Sequence, residues 1–230
     1  MRLSFKDVED RHKGFPAFVA AHGPSLNPYI DKLPDLKKAR YIIVGCNECY
    51  NFHDNCPPNY YVLANTYYTI AKQINFINMN DFTTVYARNV DRTDMDWIDK
   101  NIKNDYLPYD QYTQLQNYHL IQDDFRTYTG HDVNYGPGDT VALHMISTAV
   151  MLGCNPIYIA GIDLDYRLGY ARHKGQLTAS GVDCIEAMND YLDRNLTNLR
   201  IINESAKRKG VAIINLNMST TYDIFPTGSI

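Results

Sequence analysis

Apolar residues in this 230-residue chain gather in short blocks separated by longer polar or amphipathic stretches. Phe15–Ala21, Tyr41–Val44, Tyr60–Ala64, Thr83–Ala87, Ile157–Ala160 and Val211–Ile214 each hold four to seven residues, rich in β-branched and aromatic side chains. Runs this short suit strands buried on both faces, which parallel sheets require. Two segments carry the three- and four-residue spacing of helices instead. One begins near Gly138-Asp139-Thr140, with Asp139 as the expected N-cap, places Val141, Leu143, Met145, Ile146, Ala149 and Leu152 along its length, and stops at Gly153. The other follows Ser180-Gly181 and carries Ile185, Met188, Leu192, Leu196, Leu199, Ile202 and Ala206 before ending at Lys207-Arg208-Lys209-Gly210. Its terminal cations suit the negative end of a helix dipole. Strands alternating with helices predict an α/β chain: a Rossmann-like, mostly parallel sheet with helices on both faces.

Two stretches fall outside that rhythm. Residues from about 89 to 135 are rich in Asp, Asn, Gln and Tyr with weak periodicity, and read as an insertion at the edge of the sheet. The polar stretch from about 163 to 181 contains Gly169, Gly175 and Gly181 and is expected to act as a lid over the ligand edge. No internal repeat or composition shift divides the chain, so residues 1–230 are read as one domain with an elaborated middle.

Composition narrows the class of function. A net charge of −4 and a pI near 5.9 provide no basic field for nucleic acid. No apolar run approaches the roughly 20 residues of a membrane-spanning helix, and the first ten residues lack the apolar core of a signal peptide. A cytoplasmic protein is the expectation, with homo-oligomerisation left open. Cys46, Cys49, His53 and Cys56 have a spacing that could close a zinc site, and Cys46-x-x-Cys49 one that could form a redox pair. Four ligands within eleven residues lack the separate helix or second knuckle of such sites. The preferred reading of the five cysteines, Cys154 and Cys184 included, is reduced and mostly buried thiols.

Candidate chemistry sits where the apolar blocks end. The first block breaks at His22-Gly23-Pro24-Ser25-Leu26, where Gly23 lacks a Cβ that would hold a ligand off the backbone. Ser25 there supplies a hydroxyl and an expected helix N-cap. Asn47 follows the second block, Asn65 the third and Asp163 the fifth. Polar residues after successive strands of an open α/β sheet line the edge at which ligands bind, and a carboxamide offers both donor and acceptor to a nucleotide.

These blocks carry a resemblance. Ala21-His22-Gly23-Pro24-Ser25-Leu26, Cys46-Asn47-Glu48, Leu63-Ala64-Asn65, Ala149–Gly153 and Ile157–Asp163 resemble, in order and spacing, the bacterial sialyltransferases of glycosyltransferase family 42. Through Gly-Pro-Ser-Leu and Gly138-Asp139-Thr140-Val141 the chain is also similar to the 6-hydroxymethylpterin diphosphokinase-like family. The first resemblance implies a transferase that moves a sugar from a nucleotide-sugar, most naturally a CMP-sugar, to the hydroxyl of a carbohydrate acceptor, with no cofactor. Gly23 and Ser25 would then lie near phosphate and ribose, Asn47 and Asn65 would hold the nucleotide-sugar, and Thr140 and Val141 would flank base and ribose. Tyr166 and Tyr170 would donate to the leaving phosphate. His22 stands where the family has Asn, and Asn134–Asp139 replaces a block that begins with Arg. Thr178 occupies the place of the family's catalytic histidine, which makes His173 the nearest general base.

The second resemblance implies pyrophosphoryl transfer from ATP to a hydroxymethylpterin. That reaction needs Mg²⁺, and Asp163-Leu164-Asp165, a D-x-D pair of the kind metal-dependent glycosyltransferases set against a donor diphosphate, would supply hard carboxylate ligands for Mg²⁺ or Mn²⁺ under either reading. A non-catalytic nucleotide-binding module is the third reading.

Overall fold

The computed structural model describes residues 1–49, 56–63, 70–87, 92–109, 140–164, 192–220 and 222–230. Seven strands form one sheet: β1 (Ala17–Ala20), β2 (Ile42–Cys46), β3 (Tyr60–Leu63), β4 (Thr83–Ala87), β5 (Tyr106–Tyr109), β6 (Ile157–Ala160) and β7 (Ile213–Asn215). Their order is β5-β4-β3-β2-β1-β6-β7, and every neighbouring pair is parallel. The chain therefore grows outward from β1 to β5, returns past β1, and builds β6 and β7 on its other side.

Side chains alternate across this sheet. Ala17 and Val19 of β1, Ile42 and Val44 of β2, and Ile157 and Ile159 of β6 share one core with Val8 of α1 (Phe5–Val8) and with the helices α5 (Val141–Met151) and α6 (Leu192–Arg208). Phe18, Ala20, Ile43 and Ala160 point the other way, onto Leu26, Ile30 and Leu33 of the 3₁₀ helix Pro24–Lys32 and of α2 (Leu33–Lys38). Pro24 takes the first position of that 3₁₀ helix, where its missing N–H costs no ladder bond, and Pro28 interrupts the ladder inside it. Tyr61 and Leu63 of β3 pack with Ile77 of α3 (Ile74–Met79) and Ile98 of α4 (Arg92–Asn101). Apolar residues two apart thus share a layer and adjacent ones meet different layers, as a doubly covered sheet demands.

The region read as an insertion from about residue 89 is partly framework. Its first half contains α4 and the edge strand β5, while 110–135 lies outside the described residues. The strand hid because Tyr106-Leu107-Pro108-Tyr109 is four residues long and contains a proline. Tyr106 turns its N–H and C=O outward, to Met1 and Leu3. Pro108 has the same parity, so its missing N–H would have pointed away from the sheet, the one place a strand tolerates proline. At the opposite edge Thr227 bridges Asn215 of β7. Both edges are covered by residues near the chain ends, which leaves less open ladder for another chain to pair with.

α5 is buried on all sides from Ala142 to Met151, between the sheet and α6. Its polar residues are absorbed locally: Ser147 donates to the Leu143 carbonyl (2.9 Å) and Thr148 to that of His144 (2.7 Å). The N-cap is Thr140, not Asp139: its extended backbone and its hydroxyl, 3.4 Å from the Ala142 N–H, start the helix. Gly153, at φ +74°, follows the helix end, where a Cβ would meet Asp10 Oδ1 at 2.6 Å. No helix among the described residues is long and apolar enough to cross a membrane.

Burial holds the His144 imidazole neutral by pushing its pKa from 6.5 down to about 4. An unfolded histidine takes up its proton near pH 6.5, so between those values the unfolded state binds more protons and stability falls with pH. The loss from this residue approaches about 3 kcal/mol at the acid end. Burial shifts His12 in the same direction. Urea denaturation at pH 7 and pH 4.5 should show a drop that His144→Met reduces; equal drops in the two proteins would refute the assignment.

Candidate functional site

Strand order reverses between β1 and β6, and the loops that leave their C-terminal ends are tied to each other. Gly23 N–H donates to the Gly161 carbonyl at 2.7 Å, and Gly161 N–H donates to Ser25 Oγ at 2.8 Å. Ser25 N–H in turn donates to Asp163 Oδ2 at 2.9 Å. Gly161, at φ +81°, lies so close to the first loop that a Cβ there would stand 2.4 Å from the Ala21 carbonyl oxygen. A Cβ on Gly23 would fall 2.2 Å from Asp163 Oδ2. This corrects the expectation for Gly23: the space freed by its missing side chain is occupied by a carboxylate of the protein itself. It also corrects the capping expectation. Gly23 is the N-cap of the 3₁₀ helix, Pro24 follows it, and Ser25 reaches across to β6 instead of capping. Because Ser25 Oγ accepts from Gly161, its own proton remains to be donated, which suits an acceptor such as a phosphate or ribose oxygen.

The neighbouring strand end is organised the same way. His22 Nε2 donates to the Cys46 carbonyl at 3.0 Å, tying the end of β1 to that of β2. Asn47 follows β2 at φ +41°, a left-handed conformation that asparagine tolerates better than most residues. Its carbonyl accepts from the Tyr61 hydroxyl, which also meets the buried Gln73 side chain.

α5 delivers Thr140 and Val141 to the same edge. Its C-terminal carbonyls, from Met151 to Gly153, accept from Asp10, His12 and Gly14, in the segment that precedes β1. The helix packs across β1, β2, β3 and β6. Eleven residues span about 16 Å, close to the roughly 13–17 Å of a four- or five-residue strand, so its N-terminus reaches the strands' C-terminal edge. The positive end of its dipole is therefore at the C-terminal edge of the sheet, beside the two turns.

The structure thus brings Gly23, Ser25 and Asp163 into direct contact and joins His22 to the strand end before Asn47. Thr140 and Val141 stand at the same edge. Asn65, Asp165, Tyr166, Tyr170 and His173 lie outside the described residues. So does the stretch from 165 to 181 read as a lid.

Two contributors were not foreseen. Asn217 Nδ2 donates to Asp163 Oδ1 at 2.8 Å, and the Tyr222 hydroxyl donates to the Ile162 carbonyl at 2.6 Å. Burial, reinforced by the nearby Asp163 carboxylate, pushes the Tyr222 phenol well above its ordinary range, so it stays a donor. Both lie more than fifty residues from their partners, and no local pattern marks them.

The thiols behave as buried side chains. Cys46, Cys49, Cys56 and Cys154 are buried, and burial raises all four thiols, Cys154 to about 12. His53 and Cys184 lie outside the described residues. Among the described residues no group of three or more His, Cys, Asp or Glu side chains is gathered for a metal ion. Asp163 is the one described member of the Asp163–Asp165 pair, and each of its oxygens already accepts from an N–H.

The loop contacts set an expectation for substitution. Gly23→Ala forces the Asp163 carboxylate or the Gly161 backbone to move and should cost about 1–3 kcal/mol. Ser25→Ala strands the Gly161 N–H and should cost about 1–3 kcal/mol as well. Urea denaturation measures both, and a Gly23→Ala protein as stable as the parent would rule out the tight contact.

Comparison with known proteins agrees with this architecture. A family model described as 6-hydroxymethylpterin diphosphokinase MptE-like matches residues 1–169. No curated protein matches the chain. Among solved structures, the MAf glycosyltransferase from Magnetospirillum magneticum AMB-1 is similar over 96% of this chain, with a TM-score of 0.59 and 15% identity. The chain spans about a third of that protein, 35% of its length, and at this identity the likeness is one of fold. The family match runs from the N-terminus through β6 and takes in both turns of the β1–β6 junction. By that match the chain belongs to the 6-hydroxymethylpterin diphosphokinase MptE-like family.

Proposed function

We propose that this chain is a transferase that binds a nucleotide-activated sugar at the β1–β6 junction and passes the sugar to an acceptor hydroxyl. The observation that carries the reading is the reversal of strand order between β1 and β6, the position at which open α/β sheets hold nucleotides. Donor groups gather there: the Ser25 hydroxyl proton and the N-terminus of α5 both suit a nucleotide's phosphate and ribose oxygens. A fold shared with a glycosyltransferase over nearly the whole chain supports the same reading.

The reaction is a displacement at the anomeric carbon. The acceptor oxygen forms the new bond as the bond between the sugar and the nucleotide phosphate breaks. His173 takes the acceptor's proton, and Tyr166 and Tyr170 donate to the phosphate oxygen on which charge develops. Ser25 holds phosphate and ribose, His22, Asn47 and Asn65 the nucleotide-sugar, and Thr140 and Val141 the base side, with Gly23 and Asp163 keeping the first loop in place. A CMP-sugar is the donor that the sialyltransferase resemblance favours, a carbohydrate the acceptor, and no cofactor takes part.

The family match favours a second reading, pyrophosphoryl transfer from ATP to a hydroxymethylpterin. Asp163 and Asp165 would there hold Mg²⁺, which would offset the charge of the ATP phosphates.

Thermal shift with CMP-sugars, UDP-sugars and ATP, with and without Mg²⁺, separates the two. A metal-independent rise in Tm with a CMP-sugar is expected. A rise confined to ATP with Mg²⁺ would replace the first reading with the second. Asn47→Ala should weaken binding of the stabilising nucleotide by about 0.5–1.5 kcal/mol in calorimetry. Unchanged affinity would remove Asn47 from the site.

A further inference from the structure

Asp163 is 7% exposed and its carboxylate is held from two sides. Oδ2 accepts from Ser25 N–H at 2.9 Å and Oδ1 from Asn217 Nδ2 at 2.8 Å. With the Ser25 bond alone, an aspartate side chain could swing away from the Gly-Pro-Ser turn. The second bond removes that freedom.

Asn217 is itself held firmly. Its N–H donates to Asn215 Oδ1 at 3.0 Å, and its Oδ1 accepts from Ser219 N–H at 3.0 Å. A backbone N–H can only donate and a carboxylate can only accept, so the carboxamide has one workable orientation: oxygen to Ser219, NH₂ to Asp163. The segment that carries it is anchored through the Asn215–Thr227 bridge and through Tyr222, whose hydroxyl grips the Ile162 carbonyl beside Asp163. Asn215, Asn217, Ser219, Tyr222 and Thr227 all lie beyond residue 169, where the family match ends.

We propose that Asn217 is a positioning residue of the ligand site, which fixes Asp163 and, through it, the turn that presents the Ser25 hydroxyl. The C-terminal segment after β7 is then part of the site's construction, not only a cover for the sheet edge. A turn held at three points presents its donor within the narrow tolerance that recognition of a phosphate or ribose oxygen requires. This inference rests on the proposed nucleotide site for its consequence in binding, but the clamp itself can be tested without any ligand.

The test exchanges donor and acceptor. Asn217→Ala removes the second anchor, whereas the double variant Asp163→Asn with Asn217→Asp rebuilds it with the polarity reversed. In the double variant residue 163 accepts from Ser25 through its amide oxygen and donates its NH₂ to the carboxylate at 217, which still accepts from Ser219. Net charge is unchanged. Hydrogen exchange of the full chain without ligand should show the Ser25 amide exchanging at least tenfold faster in Asn217→Ala, and returning towards the parental rate in the double variant. Calorimetry with CMP, and separately with ATP and Mg²⁺, should show at least a fivefold weaker Kd in Asn217→Ala for the nucleotide that binds, recovered in the double variant. Unchanged Ser25 exchange in Asn217→Ala overturns the clamp. Faster exchange with unchanged affinity overturns the positioning role, as does a double variant that recovers neither. A parent protein that binds neither nucleotide defeats the proposed function instead, and the exchange rates still decide the clamp.

Discussion

Everything at the C-terminal edge of the sheet depends on β1 being paired on both sides by parallel strands that belong to different halves of the chain. Ala20 stands in register with Gly45 of β2 and with Ala160 of β6. Beyond it the ladder ends and the loops must part in order to join helices on opposite faces. A parting of backbones next to a buried strand would leave N–H and C=O groups without partners, at a cost of about 1–3 kcal/mol each. The contacts among Gly23, Ser25, Gly161 and Asp163 supply those partners. They continue the hydrogen bonding of the sheet one layer past its strands, using a hydroxyl and a carboxylate where backbone can no longer reach.

Polar residues at this edge therefore hold the loops and present groups at the same time. Ser25 accepts a bond that closes the junction and retains a proton to donate outward. Asn47 uses its tolerance of left-handed backbone to turn the chain after β2, while its carbonyl is held from β3. Replacement of such a residue has two effects, one on the loop and one on whatever the loop binds. Stability and affinity must be measured together to separate them.

α5 provides the remaining constraint. A helix apolar on nearly all sides can exist only between two layers, here the sheet and α6. Its C-terminus is tied to the segment before β1, and its length matches the strands it crosses, so its N-terminus has little choice of position. Core packing thereby directs the helix dipole towards the edge where the two turns meet.

The alternation of short apolar blocks with helical periods was enough to determine a parallel, doubly covered sheet. The polar residues that end those blocks were enough to place candidate groups at its C-terminal edge, since both follow from local spacing and from the chemistry of turns. Strand β5 escaped because Pro108 argues against a strand everywhere except at an edge, and only the tertiary pairing made Tyr106–Tyr109 one. The capping role of Ser25 was misread because its hydroxyl had two available partners, the helix below it or the β6 loop, and only the sheet order brings Gly161 within 2.8 Å. Gly23 likewise shows in sequence that a side chain is unwelcome, but not whether a ligand or Asp163 takes the space. Asn217 and Tyr222 were illegible altogether: they reach Asp163 and Ile162 across more than fifty residues, and an isolated polar residue in a tail has no periodicity to reveal its partner. Local patterning determined which residues could form the site, and the tertiary fold decided which of them meet, because hydrogen bonds between distant loops depend on strand order and not on spacing along the chain.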